Sequence, residues 1–508
     1  MDGYLAFIRK IKRNGKTYLA EVENYRDGVK IKQRHIRYLG LEPSSSEGDI
    51  SFYLRDLEVE SVKVYGPVIV LESIARDLGL FDILGPNAHS ILTLVFAHCL
   101  DYKSVLETER WFLKTDLAAV FGIDKMTSNQ LYQAVSDLSG YDFEEIEKSI
   151  FENLTSIFGE DESGVIYDGT NIHLEGSQSE LAKYGKDKQG VSSRKLIQIG
   201  LGVTRTLGLP IFHQVHEGNV HDTKMFNAAI SKFSAMNIKS GLAVFDRGIT
   251  SAECISKLSK LGWKCLAGVQ NHKGVKAVIS DLNFERMQSL RNLVVQGDTK
   301  FFAKSIPFTI GTINGKLIIL QNSLKKQRIL VDRLALINEA KELMKSDPKQ
   351  VSQDLLKFFN KDGGVNRHAI DRVEKFDGLS FLFTNSKLSV PEAISYYFEK
   401  DLIERCFRLS KSVLKLRPIR LMLDNRIRSH IMICYIGLAL LTTVRLRMKK
   451  AGIYRDPGAA LRSLDSIFKI YLTCKKKDGR ANNPFHKVNT LSNQQHRLIR
   501  VISPNLEM

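Results

Sequence analysis

Hydrophobic and polar positions change their period several times along the chain, and each change marks an element boundary. Residues 1–45 alternate in short stretches, KTYLAEVENYRDG and VKIKQRHIRYLG, which meet at Asp27-Gly28, a dipeptide suited to a type I′ turn. This predicts a small basic β-hairpin. The Pro/Ser/Gly/acid cluster from Glu42 to Asp49 reads as a linker. From about Tyr65 to Phe158 apolar residues recur at three and four, as in VIVLESIARDLGLFDIL, so 46–160 is expected to be a helical, DNA-binding domain, with Ser128 and Asp142 as N-caps.

After the loop GEDESG the period turns to strands: VIYD, NIHLEG, LIQIGLGVTR and LPIFHQVHEG. A helix (DTKMFNAAISKFSAM), a strand (LAVFD), a helix (SAECISKLSKL) and a strand (KCLAGV) follow. Three antiparallel strands and then helix, strand, helix, strand describe an α/β core with a mixed sheet over 161–270. Strand patterns return over 271–387 around the helical RLALINEAKELMKS, a stretch too long for a loop, which predicts an inserted, mainly β subdomain. The core is expected to resume over 388–450, opening with PEAISYYFEKDLIERCFRLSKSVLKL, whose proline suits a first helical turn. The apolar run Ile431 to Val444 is shorter than the roughly 20 residues of a spanning helix. It reads as a buried helix, and no membrane partner is expected. Residues 451–508 read as a basic tail, partly disordered when free.

Charge sharpens this picture. The 508 residues carry 74 Lys+Arg against 56 Asp+Glu, a net +18, and from Asp401 onward the counts are 22 and 7. Most of the excess therefore lies in the last fifth of the chain, a distribution that favours a nucleic-acid partner. The six cysteines form no CxxC or CxxH pair, which excludes a disulfide framework or a zinc site and leaves buried, reduced thiols. The opening MDGYLAFIRKIKRNGK carries no export pattern, so a cytoplasmic protein is expected.

Three acids stand where chemistry could be done. Asp168 closes the apolar run VIYD and precedes Gly169-Thr170; Asp246 closes LAVF and precedes Arg247-Gly248. Acids at the ends of neighbouring strands, about 4.8 Å apart, can share a divalent cation. Each also has a purely structural reading, Asp168 in an Asx-type turn and Asp246 as a helix cap. Glu404 is the third candidate. On a continuous helix Tyr397, Glu404 and Lys411 share a stripe, with Lys400 and Arg408 four residues either side of Glu404, an arrangement that an exposed charge ladder also produces. Asp401 is the rival third acid. His173, His213 and His216 could approach a metal or serve packing, and Asp222 is read as a helix cap outside the triad. Three carboxylates and two hard cations are what phosphodiester chemistry needs, one ion activating water or a 3′-hydroxyl and the other stabilising the leaving oxygen.

Taken in order, these stretches resemble the DDE transposases of bacterial and archaeal insertion sequences, whose signature around the third acid is Y-(2)-R-(3)-E-(6)-K. Tyr397, Lys400, Glu404 and Lys411 match those spacings, with lysine standing for arginine. Asp168-Gly169-Thr170 and Asp246-Arg247-Gly248 match the strand ends that carry the first two acids. YGKDKQG, HEGNVHDTKMF, FDGLSFLFTN and LKLRPIR resemble the subgroup with a β insertion before the third acid.

The resemblance implies a ribonuclease-H-like core, Mg²⁺ or Mn²⁺ at Asp168, Asp246 and Glu404, and a homodimer that synapses terminal inverted repeats. It implies cleavage of the element ends and their joining to double-stranded target DNA. Tyr397, Lys400, Arg408, Lys411, Arg417, Arg420 and Arg247 are the expected DNA contacts, with Lys400 a weaker grip than a bidentate arginine. The alternatives are a ribonuclease-H-like nuclease without strand transfer and a DNA-binding protein derived from a transposase.

Overall fold

The computed structural model describes residues 6–13, 16–27, 30–41, 57–102, 104–161, 163–174, 178–185, 194–236, 238, 241–280, 282–347, 350–419, 421–474 and 485–506. The chain divides into two units, Met1–Ser61 with Tyr471–His486, and Val62–Ile470 with Lys487–Met508.

The first unit holds an antiparallel sheet of β1 (Ala6–Arg13), β2 (Lys16–Asp27) and β3 (Lys30–Leu41), in that order. β2 and β3 are the two stretches read as a hairpin, paired outward from Asp27 and Lys30. β1 is an added strand whose AFIRKIKR also alternates. The turn residue Gly28 and the Glu42 to Asp49 stretch lie outside the described residues. β4 (Leu57–Val64) follows.

In the second unit, helices Gly66–Asp77, Ala88–Leu100, Ser128–Leu138 and Phe143–Phe158 pack on Asp424–Lys450, the central helix. That helix contains the apolar run and is buried continuously from Ser429 to Val444, which explains why it is apolar on every face. Asp142 caps its helix by accepting from the backbone of Glu144 and Glu145. Ser128 does not cap. Thr127 does, in a capping box with Gln130, because Gln130 lies three residues past Thr127 and can answer its N–H. The described cysteines, Cys99, Cys254, Cys265, Cys406 and Cys434, are buried and unbridged, and burial pushes the Cys265 thiol up to about 12.

The core strands are β5 (Val165–His173), β6 (Lys183–Tyr184), β7 (Lys195–Thr204), β8 (Pro210–Glu217), β9 (Leu242–Phe245) and β10 (Lys264–Val269). β11 (Leu293–Gln296), β12 (Thr299–Ile310), β13 (Ile313–Gln321) and β14 (Leu379–Thr384) belong to the insertion. Among the described residues all ten form one mixed sheet in the order β11-β12-β13-β14-β10-β9-β5-β7-β6, with β8 also on β7. The insertion therefore extends the core sheet, since β14 runs antiparallel to both β10 and β13. Its helices Ser323–Ser346 and Arg367–Glu374 share a small core of their own around Ile337, Phe358 and Ile370.

VIYD and NIHLEG, read as separate strands, are the single strand β5. Asp168 is thus mid-strand, contrary to the strand-end reading, and β5 pairs with β7 along its whole length. On the other flank β9 pairs only with Val165 and Ile166, so the ladder there stops short of Asp168.

The stretch read as one helix after Pro391 is two, Val390–Phe398 and Asp401–Ser412, the second called here the Glu404 helix. Between them the backbone tightens to i→i+3 bonds, Lys400 N to Tyr397 O at 3.3 Å and Leu402 N to Glu399 O at 2.9 Å. The stretch read as a tail contains β15 (Phe468–Cys474) and β16 (Phe485–Val488), which form a sheet in the order β16-β15-β4, and ends in helix Asn493–Ile502. Leu498, Ile499 and Ile502 are buried, and Arg447 of the central helix donates to Ile502 O at 2.7 Å.

Candidate active site

Register sets the first two acids together. Val165 pairs with Ala243 and Ile166 with Val244 across parallel strands, so two residues further on Asp246 comes beside Asp168. Ile166 and Val244 belong to the core that also contains Ile403, Cys406 and Phe407 of the Glu404 helix, and by the period of two Asp168 and Asp246 project to the same face. Glu404 comes from above. Its helix packs on β5 and β7 with Ile403, Cys406, Phe407, Leu409 and Ser410 buried, which leaves Glu404, Arg408 and Lys411 along one flank.

These side chains line one cleft of about 490 Å³, bounded by Asp168, Thr170, Asp246, Glu404, Phe407, Arg408, Lys411, Ser412 and Arg417. The acids are held differently. Asp168 Oδ1 accepts from the Gly169 N–H at 2.8 Å, and Lys411 donates to Thr170 Oγ1. Asp246 Oδ1 accepts from the Arg247 N–H at 2.7 Å and the Tyr397 hydroxyl at 3.0 Å, and lies 3.3 Å from Lys400 Nζ. All these donors meet Oδ1, which leaves Oδ2 for another ligand. Burial pushes the Asp246 carboxyl up, but the Lys400 charge and these hydrogen bonds outweigh it and hold the group below the ordinary carboxylate range. Burial and the neighbouring Asp246 raise the Tyr397 phenol, which stays a proton donor. Glu404 is exposed, and among the described residues it has no hydrogen-bond or ion-pair partner.

A model of one protein family, the transposase DDE domain, matches residues 159–440, a span that contains all three cleft acids. The chain belongs to this family. DDE transposases are metal-dependent enzymes that cleave DNA. No curated protein matches the chain. Among solved structures, a cryo-EM structure of the piggyBac transposase synaptic complex with hairpin DNA is similar, at 11% identity and a TM-score of 0.42, over 79% of this chain and 80% of that one.

The donor set of this DDE transposase suits the divalent ions its family uses. Three carboxylates offer hard oxygen ligands, and among the described residues no partner is seen for Asp246 Oδ2 or for the Glu404 carboxylate. Among the described residues no three Asp, Glu, His or Cys gather round one point.

Several expected DNA contacts take other places. Tyr397 and Lys400, both expected at the DNA, contact Asp246, and Lys400 is only 9% exposed. Arg408, Lys411 and Arg417 do line the cleft, Arg247 is exposed next to Asp246, and Arg420 lies outside the described residues. Asp401 pairs with Arg405 at 2.6 Å, one turn along its own helix, and does not line the cleft. His213 is buried with its backbone N–H and Nδ1 each 2.6 Å from Glu147, a packing role. Neither His173 nor His216 lines the cleft. Asp222 opens helix Asp222–Ala235, and a Cβ at Gly248 would come within 3.1 Å of its carboxylate, so the glycine two residues past the second acid leaves room for it.

Phe407 and Ser412 line the cleft without a signal in the sequence, and Thr170, noted there only as part of the Asp168-Gly169-Thr170 match, joins them. Thr170 was legible, since it follows Asp168 by the strand period of two. Arg205 was not. It holds the helix break from outside the cleft, with Nε 3.0 Å from Ser163 O, its guanidinium 3.8 Å over the Tyr396 ring and an ion pair to Glu399 at 2.5 Å.

Proposed function

We propose that this chain is the transposase of a mobile DNA element. It binds the terminal inverted repeats as a homodimer, cleaves the element ends and joins their 3′-hydroxyls to double-stranded target DNA. The observation that carries this reading is the meeting of Asp168, Asp246 and Glu404 in one cleft with Arg408, Lys411 and Arg417. The strand order β8-β7-β5-β9-β10, with β5, β8, β9 and β10 running one way and β7 alone antiparallel to them, supports a ribonuclease-H-like core. The engagement of Asp246 by Tyr397 and Lys400 supports assignment to the Y-(2)-R-(3)-E-(6)-K subgroup.

In this reading Asp168, Asp246 and Glu404 hold two divalent ions, Mg²⁺ with Mn²⁺ as a substitute. Bound there, the ions supply Lewis-acid activation of the attacking oxygen and stabilise the leaving one. Arg408, Lys411 and Arg417 neutralise the phosphates on either side of the scissile bond. Tyr397 and Lys400 fix the rotamer of Asp246. Water attacks the phosphorus at the element end and the 3′-oxygen leaves as a hydroxyl; that hydroxyl then attacks a target phosphorus and displaces the target strand's 3′-oxygen. No protein atom is bonded to DNA at either step.

The test is strand cleavage and joining by the purified full chain on duplexes carrying the element's own ends, with Mg²⁺. Cleaved 3′ ends and joined products are expected. Cleavage that survives Asp246→Ala or Glu404→Ala sinks the site assignment, and cleavage without joined products identifies a hydrolytic nuclease.

A further inference from the structure

A second concavity, of about 620 Å³, lies in the insertion and brings together Lys276, Lys357, Arg372 and Lys375. They come from three elements: helix Lys273–Ile279, the residue after helix Gln353–Leu356, and the end of helix Arg367–Glu374. All four are exposed, and among the described residues none is in an ion pair. Their contacts are to neutral groups. Lys375 donates to Ser280 O at 2.7 Å, Arg372 to His368 O at 3.2 Å, and Lys276 lies 5.4 Å over the Phe376 ring. The one carboxylate in the lining, Asp377, is buried and already neutralised by Arg333, whose two nitrogens meet its oxygens at 2.7 and 2.5 Å.

The dipole of helix Arg367–Glu374 favours cations at its end, which explains Arg372 and Lys375 but not the arrival of Lys276 and Lys357 from other elements. Like charges gathered round one hollow repel unless an anion lies between them. The location says which anion. β9 and β10 run parallel; Asp246 follows the end of β9 and Asn271, in the pocket lining, lies two residues past the end of β10. Cleft and pocket thus start from the same end of the sheet, and duplex DNA leaving the cleft carries a charge about every 1.7 Å of its axis.

We propose that this pocket binds the phosphodiester backbone of the DNA that runs on from the cleft, an inference that rests on the transposase reading. Recognition here is by charge. Lys276 lies over the Phe376 ring and the lining offers cations that meet phosphates, so the contact is independent of sequence.

The test uses the full chain and a labelled duplex of arbitrary sequence, with binding measured across a salt series. Lys276→Glu combined with Arg372→Glu is expected to weaken binding about tenfold or more near physiological salt and to lower the salt slope by about two. The charge-conserving pair Lys276→Arg and Arg372→Lys should stay within about twofold of the unmodified chain. Reversal variants that bind as tightly, with the same slope, overturn the proposal, as does an equal loss in the charge-conserving pair, which marks a structural effect. Titration with inorganic phosphate separates the sources: phosphate binding abolished by the reversal while duplex binding is unchanged means a small-anion site and overturns the DNA reading. A chain that binds the duplex through this pocket but never cleaves element ends defeats the transposase reading alone.

Discussion

Lys400 Nζ stands 3.3 Å from Asp246 Oδ1, and the Tyr397 hydroxyl reaches the same oxygen at 3.0 Å, so the break between two helices sets the aim of an acid on the neighbouring sheet. Tyr397→Phe removes one of these donors with little change of shape. Cleavage is expected to fall about 10- to 100-fold, the usual cost of losing a group that orients a ligating side chain. DNA affinity in a gel-shift assay should change by less than about twofold. Loss of affinity with cleavage per bound duplex intact would place Tyr397 on the DNA instead.

Glu404 and Asp401 lie one turn apart on the same helix, and their surroundings assign them opposite importance. Glu404→Gln should reduce cleavage by about a thousandfold or more while the chain still binds element ends, because an amide keeps the shape and loses the anionic ligand. Asp401→Asn should leave cleavage within about twofold, its carboxylate being engaged by Arg405 at the surface. The reverse ranking would make Asp401 the third acid.

Glu147 is fully buried and serves three donors, the His213 N–H and Nδ1 at 2.6 Å and Lys232 Nζ at 3.0 Å. It ties helix Phe143–Phe158 to β8. Glu147→Ala leaves these donors without their acceptor and should destabilise the fold by about 3 kcal/mol, read as a lower urea midpoint. A shift of a few tenths of a kcal/mol would show that water replaces the carboxylate.

Asp465 carries a pH signature. Burial and the nearby Asp101 push its carboxyl up to about 6 against the pull of Arg462. With an unfolded value near 3.9, the native state binds the proton more tightly, so this group favours folding below about pH 4 and loses that contribution as pH rises to about 6. Asp465→Asn should therefore raise stability at pH 7.5 by about 1 kcal/mol, a figure discounted for solvent screening because Asp465 is exposed, and change little at pH 4. Thermal melts at the two pH values decide it, and an equal gain at both would point to packing instead.

Much of this was legible in the sequence where a single period governs a stretch. Core strands β5, β7, β8, β9 and β10 announce themselves by β-branched and apolar alternation, and the central helix by a long apolar run. Asp168 was misread as a strand end because Gly169 breaks the apolar pattern, yet the ladder to β7 carries the strand through it. The role of Lys400 could not be read, since helical spacing says which residues share a stripe but not where a helix tightens. Periodicity is equally blind to sheet membership: β11 to β14 pattern like an independent unit and still join the core ladder.

Asp168 stands in β5 and Asp246 just past the end of the neighbouring β9, whereas Glu404 hangs from a helix whose entry is an irregular turn fastened by Arg205. A substrate entering between them meets two acids set by strand geometry and one set by the turn at Glu399 and Lys400. The position of the third acid relative to the other two is then set in that turn. Sequence changes that tune the fit of the cleft should accordingly gather in that turn and spare the strands beneath it.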